Sequence, residues 1–98
     1  MWRVVFTKQA AKDATRLKAA GLEAKAKELV RVVECDPFAT PPAYEGLVGS
    51  LSVLYSRRIN RQHRFVYEVI EGPSEVDGTA FEGVVKVLHM WTRYEGLR

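Results

Sequence analysis

The first 20 residues change from a strand-like pattern to a helical one. Residues 2–6 are rich in valine and aromatic side chains, which predicts a short first strand. Residues 8–20 then carry apolar side chains at helical spacing, namely Ala10, Ala14 and Leu17. We expect Thr7 to cap this helix and Gly21 to end it.

A second helix is predicted from Leu22 to Cys35. Its apolar stripe consists of Leu22, Ala26, Leu29, Val30 and Val33. The charged side chains off this stripe, which we expect to be solvated, are Lys25, Lys27, Glu28 and Arg31. Asp36-Pro37 ends the helix, because proline disfavours helical geometry in the residue before it. Residues 36–50, with three prolines and two glycines, predict a loop.

The second half of the chain contains segments in which apolar and polar residues alternate. Three strands are predicted, at residues 51–59, 63–71 and 83–93. Turn signals at 72–74 and 77–78 separate the last two. The short connections favour antiparallel pairing. We predict an α+β fold in which an N-terminal strand and two helices precede an antiparallel β-meander, with both helices packed on one face of a twisted sheet.

Length and composition restrict the remaining possibilities. A chain of 98 residues predicts a single domain over residues 1–98. One cysteine and two histidines argue against a metal site, and no motif points to a cofactor. Neither a secretory signal nor a membrane-spanning stretch is visible, and a lone cysteine fits a reducing compartment. We therefore expect a cytoplasmic protein that does not act at a membrane.

Positive charge is concentrated in one segment. The net charge is +3, yet residues 46–67 contain four arginines and no acidic residue. In residues 68–82, by contrast, all charged residues are acidic. The segment Tyr55–Tyr67 thus predicts a basic β-hairpin with interleaved aromatic residues. Arginine grips phosphate bidentately and aromatic faces stack on bases, so RNA binding is one interpretation. A solvated edge hairpin is the other.

At this hairpin the sequence resembles a known family. Tyr-Ser-Arg-Arg-Ile at 55–59 and His-Arg-Phe-Val-Tyr at 63–67 resemble the signature hairpin of YoeB-type toxins in the RelE/ParE superfamily. Further similarities lie at Asp36-Pro37-Phe38, at Glu45-Gly46-Leu47 and at Trp91-Thr92-Arg93-Tyr94. The resemblance covers nearly the whole chain and implies the RelE-like toxin fold.

The resemblance also implies an activity. YoeB-type toxins enter the ribosomal A site and cut messenger RNA there without a metal, using the ribose 2′-hydroxyl as nucleophile. This transesterification requires a base for the 2′-hydroxyl, a cation for the phosphate and an acid for the leaving 5′-oxygen.

The family's roles transfer onto individual positions. Glu45 matches the general base, and Arg64 and Arg58 match phosphate-contacting arginines. The other candidate RNA contacts are Arg61 in the turn, Arg57 and His63. Strand alternation places Arg57 on the opposite face from Arg58, where a structural or solvated role is the alternative.

One catalytic position departs from the family. Arg93 stands where YoeB-type toxins usually have a histidine that acts as general acid. Arginine keeps its proton throughout the physiological pH range, so we expect Arg93 to neutralise charge rather than donate a proton. Tyr94 is a candidate proton donor or stacking group. His89 lies four residues earlier, about 13 Å away along a strand, and is interpreted as packed.

Partners and alternatives follow from the resemblance. It implies a YefM-like antitoxin whose disordered tail folds over the basic face, together with the 70S ribosome and messenger RNA as targets. A homodimer is compatible with it, and contact with DNA would be indirect, through the antitoxin. Two alternatives stay open: a protein that blocks the A site without cutting or only represses with its antitoxin, and a gyrase-directed ParE-like toxin.

Overall fold

The computed structural model describes residues 1–47 and 54–91. Their elements are β1 Arg3–Phe6, α1 Lys8–Ala19, α2 Glu23–Cys35, β2 Tyr44–Leu47, β3 Leu54–Arg58, β4 Arg64–Val76 and β5 Thr79–His89. The five strands form one sheet in the order β1-β5-β4-β3-β2. Strand β1 is parallel to β5, and the other pairs are antiparallel. The predicted α+β class is confirmed.

The helices begin and end close to where the pattern predicted. The Thr7 hydroxyl accepts a hydrogen bond from the Ala10 backbone N–H at 3.0 Å, and Gly21 adopts a left-handed φ of 76° after α1. The predicted stripe of α2 is buried or partly buried throughout. In α1, however, Ala14 is exposed and Asp13 is buried instead. The Asp13 carboxylate accepts the backbone N–H of Met90 at 2.9 Å, which explains why an acid can lie on the buried side.

The sheet differs from the prediction in two places. Residues 44–47, expected within a loop, form the edge strand β2 because their backbone pairs with β3. Residues 72–74 were predicted as a turn, but they lie inside β4 at a register shift, and the reversal is made by Asp77 and Gly78, both with positive φ. Residues 51–53 and 92–93 of the predicted strands lie outside the described part of the chain.

The core lies between the helices and one face of the sheet. Phe65, Tyr67, Val85 and Val87 on this face are fully buried against the helices. Phe6 is 46% exposed at the end of the edge strand β1. None of the helices described here is long and apolar enough to cross a membrane.

Candidate active site

A cleft of about 590 Å³ opens beside strands β2, β3 and β4. Its lining comprises Lys25, Pro42, Ala43, Tyr44, Glu45, Ser56, Arg58, Ile59 and Arg64. Three of the predicted site residues, Glu45, Arg58 and Arg64, therefore share one cavity although they come from three strands. This is the main site that the fold assembles from the candidates.

Strand register explains why these three side chains meet. Glu45 of β2 is the register partner of Ser56 of β3, and Arg58 follows Ser56 on the same face. Arg58 is in turn the partner of Arg64 of β4. Neighbouring strands lie about 4.8 Å apart, so one carboxylate and two guanidinium groups gather on a small patch.

The two cleft arginines are available for an anion. Within the described residues, neither forms an ion pair with a carboxylate. Arg64 donates one hydrogen bond, from Nη1 to the backbone oxygen of Asn60 at 3.2 Å, which leaves its other donors for a ligand. Two adjacent guanidinium groups can share the negative charge of a phosphate, and a carboxylate beside them can accept a proton from a nucleophile.

Two further cleft residues were not among the predicted candidates. Lys25 of α2 is among the residues that line the cleft, while its side chain stays partly exposed and pairs with Glu28 at 3.9 Å, in agreement with its expected place on the solvated side of the helix. Ser56 is 1% exposed, and its Oγ has no hydrogen-bond partner among the described residues. A buried hydroxyl without a partner is costly, so Ser56 marks a point where a ligand or a rotated side chain can bond. No pattern in the sequence brings Lys25 to the same cleft as Glu45 and Arg58, so this position had no detectable signal.

The structure corrects the assignment of Arg57 as an RNA contact. Its side chain is 1% exposed on the helix-facing side of β3. The guanidinium donates to the backbone oxygens of Pro37 and Pro42 and to the Tyr67 hydroxyl. A group enclosed in this way is not placed to contact RNA, and the structural alternative is the better description.

His63 is corrected for the same reason. It is 3% exposed, and its ring stacks on Trp91 with 4.0 Å between the ring centroids. Burial lowers the pKa of His63, while the nearby Asp13 carboxylate acts in the opposite direction. By contrast, Arg61 is exposed in the turn between β3 and β4 and remains a candidate contact.

The C-terminal candidates Arg93 and Tyr94 lie outside the described residues. The last described residue, Trp91, is half-buried. His89 of β5 is also half-buried. It is the register partner of Val66 of β4, which in turn pairs with Ser56 of β3. Burial lowers the pKa of His89, and Asp13 again opposes this shift. His89 is not part of the cleft lining, which agrees with its interpretation as a packed residue.

Comparison with known proteins gives a consistent result. A family model described as YoeB-like toxin of bacterial type II toxin-antitoxin system matches residues 6–94. Among curated proteins, none matches this chain.

Solved structures resemble this chain along nearly its entire length. A YoeB/ParE toxin from Agrobacterium tumefaciens is 28% identical with a TM-score of 0.73, covering 94% of this chain and 99% of that one. A YoeB dimer from Staphylococcus aureus is 25% identical with a TM-score of 0.71, covering 95% and 98%. The YoeB in a heterotetrameric YoeB–YefM complex from the same organism is 25% identical with a TM-score of 0.69, covering 96% and 99%.

Proposed function

This chain belongs to the YoeB-like toxins of bacterial type II toxin–antitoxin systems, and on that premise we propose that it is a metal-independent endoribonuclease. Its substrate is messenger RNA in the A site of the 70S ribosome, in the cytoplasm. The observation that carries this proposal is the shared cleft of Glu45, Arg58 and Arg64. This arrangement supplies a base and two cations to one phosphodiester.

The proposed reaction is an intramolecular displacement at phosphorus. Glu45 removes the proton of the ribose 2′-hydroxyl, the 2′-oxygen bonds to the phosphorus, and the bond from phosphorus to the 5′-oxygen breaks. Arg58 and Arg64 stabilise the charge that builds on the phosphate oxygens. The products are a cyclic phosphate and a 5′-hydroxyl end.

The leaving 5′-oxygen has to gain a proton. By resemblance we assign this step to Tyr94, with Arg93 neutralising charge rather than donating a proton, since a guanidinium group keeps its proton throughout the physiological pH range. Tyr94 and Arg93 together would then perform the role of the histidine that YoeB-type toxins usually carry at the position of Arg93.

We propose a YefM-like antitoxin as the neutralising partner. The heterotetrameric YoeB–YefM complex among the structural relatives supports it, as does the concentration of arginines near the cleft. The Staphylococcus aureus YoeB dimer supports a homodimer as the unbound form. An acidic, disordered tail that orders on the cleft would occupy the same arginines as RNA and so inhibit by competition.

The decisive experiment maps 5′ ends of a defined messenger on programmed 70S ribosomes. We expect new ends within the A-site codon with the full chain, and none with Glu45→Gln or Arg64→Ala. Glu71→Gln and Arg3→Ala are matched controls, because they remove the same charges from exposed positions away from the cleft. Each variant is compared by circular dichroism to establish that it folds.

Two results would reject the proposal. Cleavage that persists in folded Glu45→Gln and Arg64→Ala would remove the assigned base and cation. Ribosome binding and translation arrest with an intact messenger would instead identify a protein that blocks the A site without cutting. In that case Arg93→His is the next variant, because it restores the family's usual acid.

A further inference from the structure

Arg57 is a buried cation whose described partners are all neutral. Its Nε donates to the Tyr67 hydroxyl at 3.2 Å, its Nη2 donates to the Pro37 backbone oxygen at 2.9 Å, and its Nη1 donates to the Pro42 backbone oxygen. Tyr67 itself donates to the Pro37 oxygen at 2.7 Å. Within the described part of the chain, no carboxylate forms an ion pair with Arg57.

Stability alone does not account for an arginine in this position. Removing a charged group from water costs several kcal/mol, and apolar side chains of similar volume are often as stable or more stable at buried ionic sites. Phe38, Tyr44, Tyr55 and Tyr67 form a cluster of aromatic rings at centroid distances of 5.3–6.0 Å. The guanidinium carbon lies 5.0 Å from the Tyr44 ring centroid and 6.0 Å from the Tyr67 ring centroid. The particular advantage of arginine is a rigid fork of donors that can fix several backbone oxygens at once.

The attachments of Arg57 converge on the segment that leads into β2. Pro37 lies near the start and Pro42 near the end of the connection from α2 to β2. The centroid of the Tyr44 ring lies 5.0 Å from the guanidinium carbon. Tyr44 is also the register partner of Arg57. The next residue is Glu45.

Strand β2 is an edge strand, which makes side-chain contacts important for its position. It has four residues, lies at the edge of the sheet and pairs only with β3 among the described strands. An edge strand has a hydrogen-bonding neighbour on one side only, so its position is sensitive to side-chain contacts.

From this geometry we infer that Arg57 is a positioning residue for Glu45, acting through the backbone of the 37–44 segment. Its side chain lies on the helix-facing side of β3, while its neighbours Ser56 and Arg58 line the cleft on the other side. Arg57 thus holds β2 from the helix-facing side of the sheet and does not contact the substrate. The inference rests on the proposed function of Glu45 as the base.

The kinetic test separates turnover from binding. We compare Arg57→Met, Arg57→Lys and Tyr67→Phe with the parent protein, using A-site cleavage at saturating ribosomes and the ribosome concentration at half-maximal rate. For Arg57→Met we expect a roughly 10- to 100-fold lower rate at saturation, with the half-saturating concentration unchanged, since displacement of a catalytic group by about 1 Å has effects of that size. Arg57→Lys should recover part of the rate because it keeps a donor, and Tyr67→Phe should lose less.

Val85→Ala is the matched control for loss of stability. Val85 is fully buried on the same face of the sheet, in strand β5, and its side chain has no donor for the Pro37 or Pro42 oxygens. It should lower the stability while leaving the saturating rate within about twofold, since a core cavity does not move a distant catalytic group. Equal rate losses in Val85→Ala and Arg57→Met would overturn the inference.

A second measurement does not depend on cleavage. Amide hydrogen exchange at Tyr44–Leu47 should become at least about tenfold faster in Arg57→Met and in Tyr67→Phe, while amides in β4 and β5 keep their protection. Unchanged protection of β2 in both variants would overturn the positioning role. If the parent protein binds ribosomes without cutting, the proposed function fails, and the exchange data still decide whether Arg57 holds β2.

Discussion

Arg58 and Arg64 face each other across the ladder between β3 and β4, with no ion pair to a carboxylate in the described residues. Like charges directly opposite on neighbouring strands destabilise a sheet. We therefore expect the two guanidinium groups to repel each other in the free protein, and a phosphate anion bound by both would relieve this repulsion.

The first prediction concerns this pair. At low ionic strength, Arg58→Gln should raise the free energy of unfolding by about 0.2–1 kcal/mol, because it removes the repulsion. Inorganic pyrophosphate should stabilise the parent protein more than it stabilises the variant. Urea unfolding with and without pyrophosphate measures both effects, and Arg3→Ala is the control for a general loss of positive charge. Equal stabilisation of parent and Arg58→Gln would contradict an anion site at the pair.

The second prediction concerns the buried carboxylate of Asp13. Asp13 is 1% exposed and accepts the backbone N–H of Met90 and the side-chain amide of Gln9. Asp13→Ala should lower the free energy of unfolding by about 1–3 kcal/mol, because the Met90 N–H loses its partner inside the protein. Asp13→Asn keeps an acceptor and should lose less. Chemical denaturation compares the two, and equal losses would show that the charge rather than the hydrogen bond matters.

The third prediction uses two glycines in the sheet. A Cβ at Gly83 would lie 2.5 Å from the backbone oxygen of Ile70 and 2.5 Å from the Trp2 ring. Gly83→Ala should therefore destabilise the fold by about 1–3 kcal/mol. At Gly46 the nearest atom to a new Cβ is on the Tyr55 ring at 4.0 Å, so Gly46→Ala should be tolerated. Thermal unfolding of both variants checks the contrast, and similar melting temperatures would contradict it.

The fourth prediction concerns pH. Burial lowers the pKa values of His63 and His89 below the ordinary value of 6.5. The unfolded chain therefore takes up protons at a higher pH than the folded protein does, so stability is complete above pH 6.5 and decreases as the pH falls through the range just below it. His63→Gln and His89→Gln should each flatten this decrease, whatever they do to stability at neutral pH. Unfolding curves from pH 7.5 to 5 test it, and unchanged slopes in both variants would show that other groups are responsible.

Local patterns in the sequence were sufficient for much of the fold. Helix boundaries depend on nearby residues, so Thr7 and Gly21 could be assigned from spacing and capping chemistry. The alternation of β3 and β4 likewise predicted which side chains share a face, including the placement of Arg57 opposite Arg58. The family resemblance supplied Glu45, Arg58 and Arg64 as candidate site residues.

The tertiary structure decided what sequence spacing does not contain. Strand β2 exists because residues 44–47 pair with β3, a non-local contact that the proline-rich pattern around it concealed. Which elements pack together decides that Arg57 and His63 are buried. It also decides that Lys25 lines the cleft. Residue type and periodicity therefore determined the elements and the chemistry available, whereas the register of β2, β3 and β4 decided which of those groups face one another, because register depends on pairing between segments far apart in the chain.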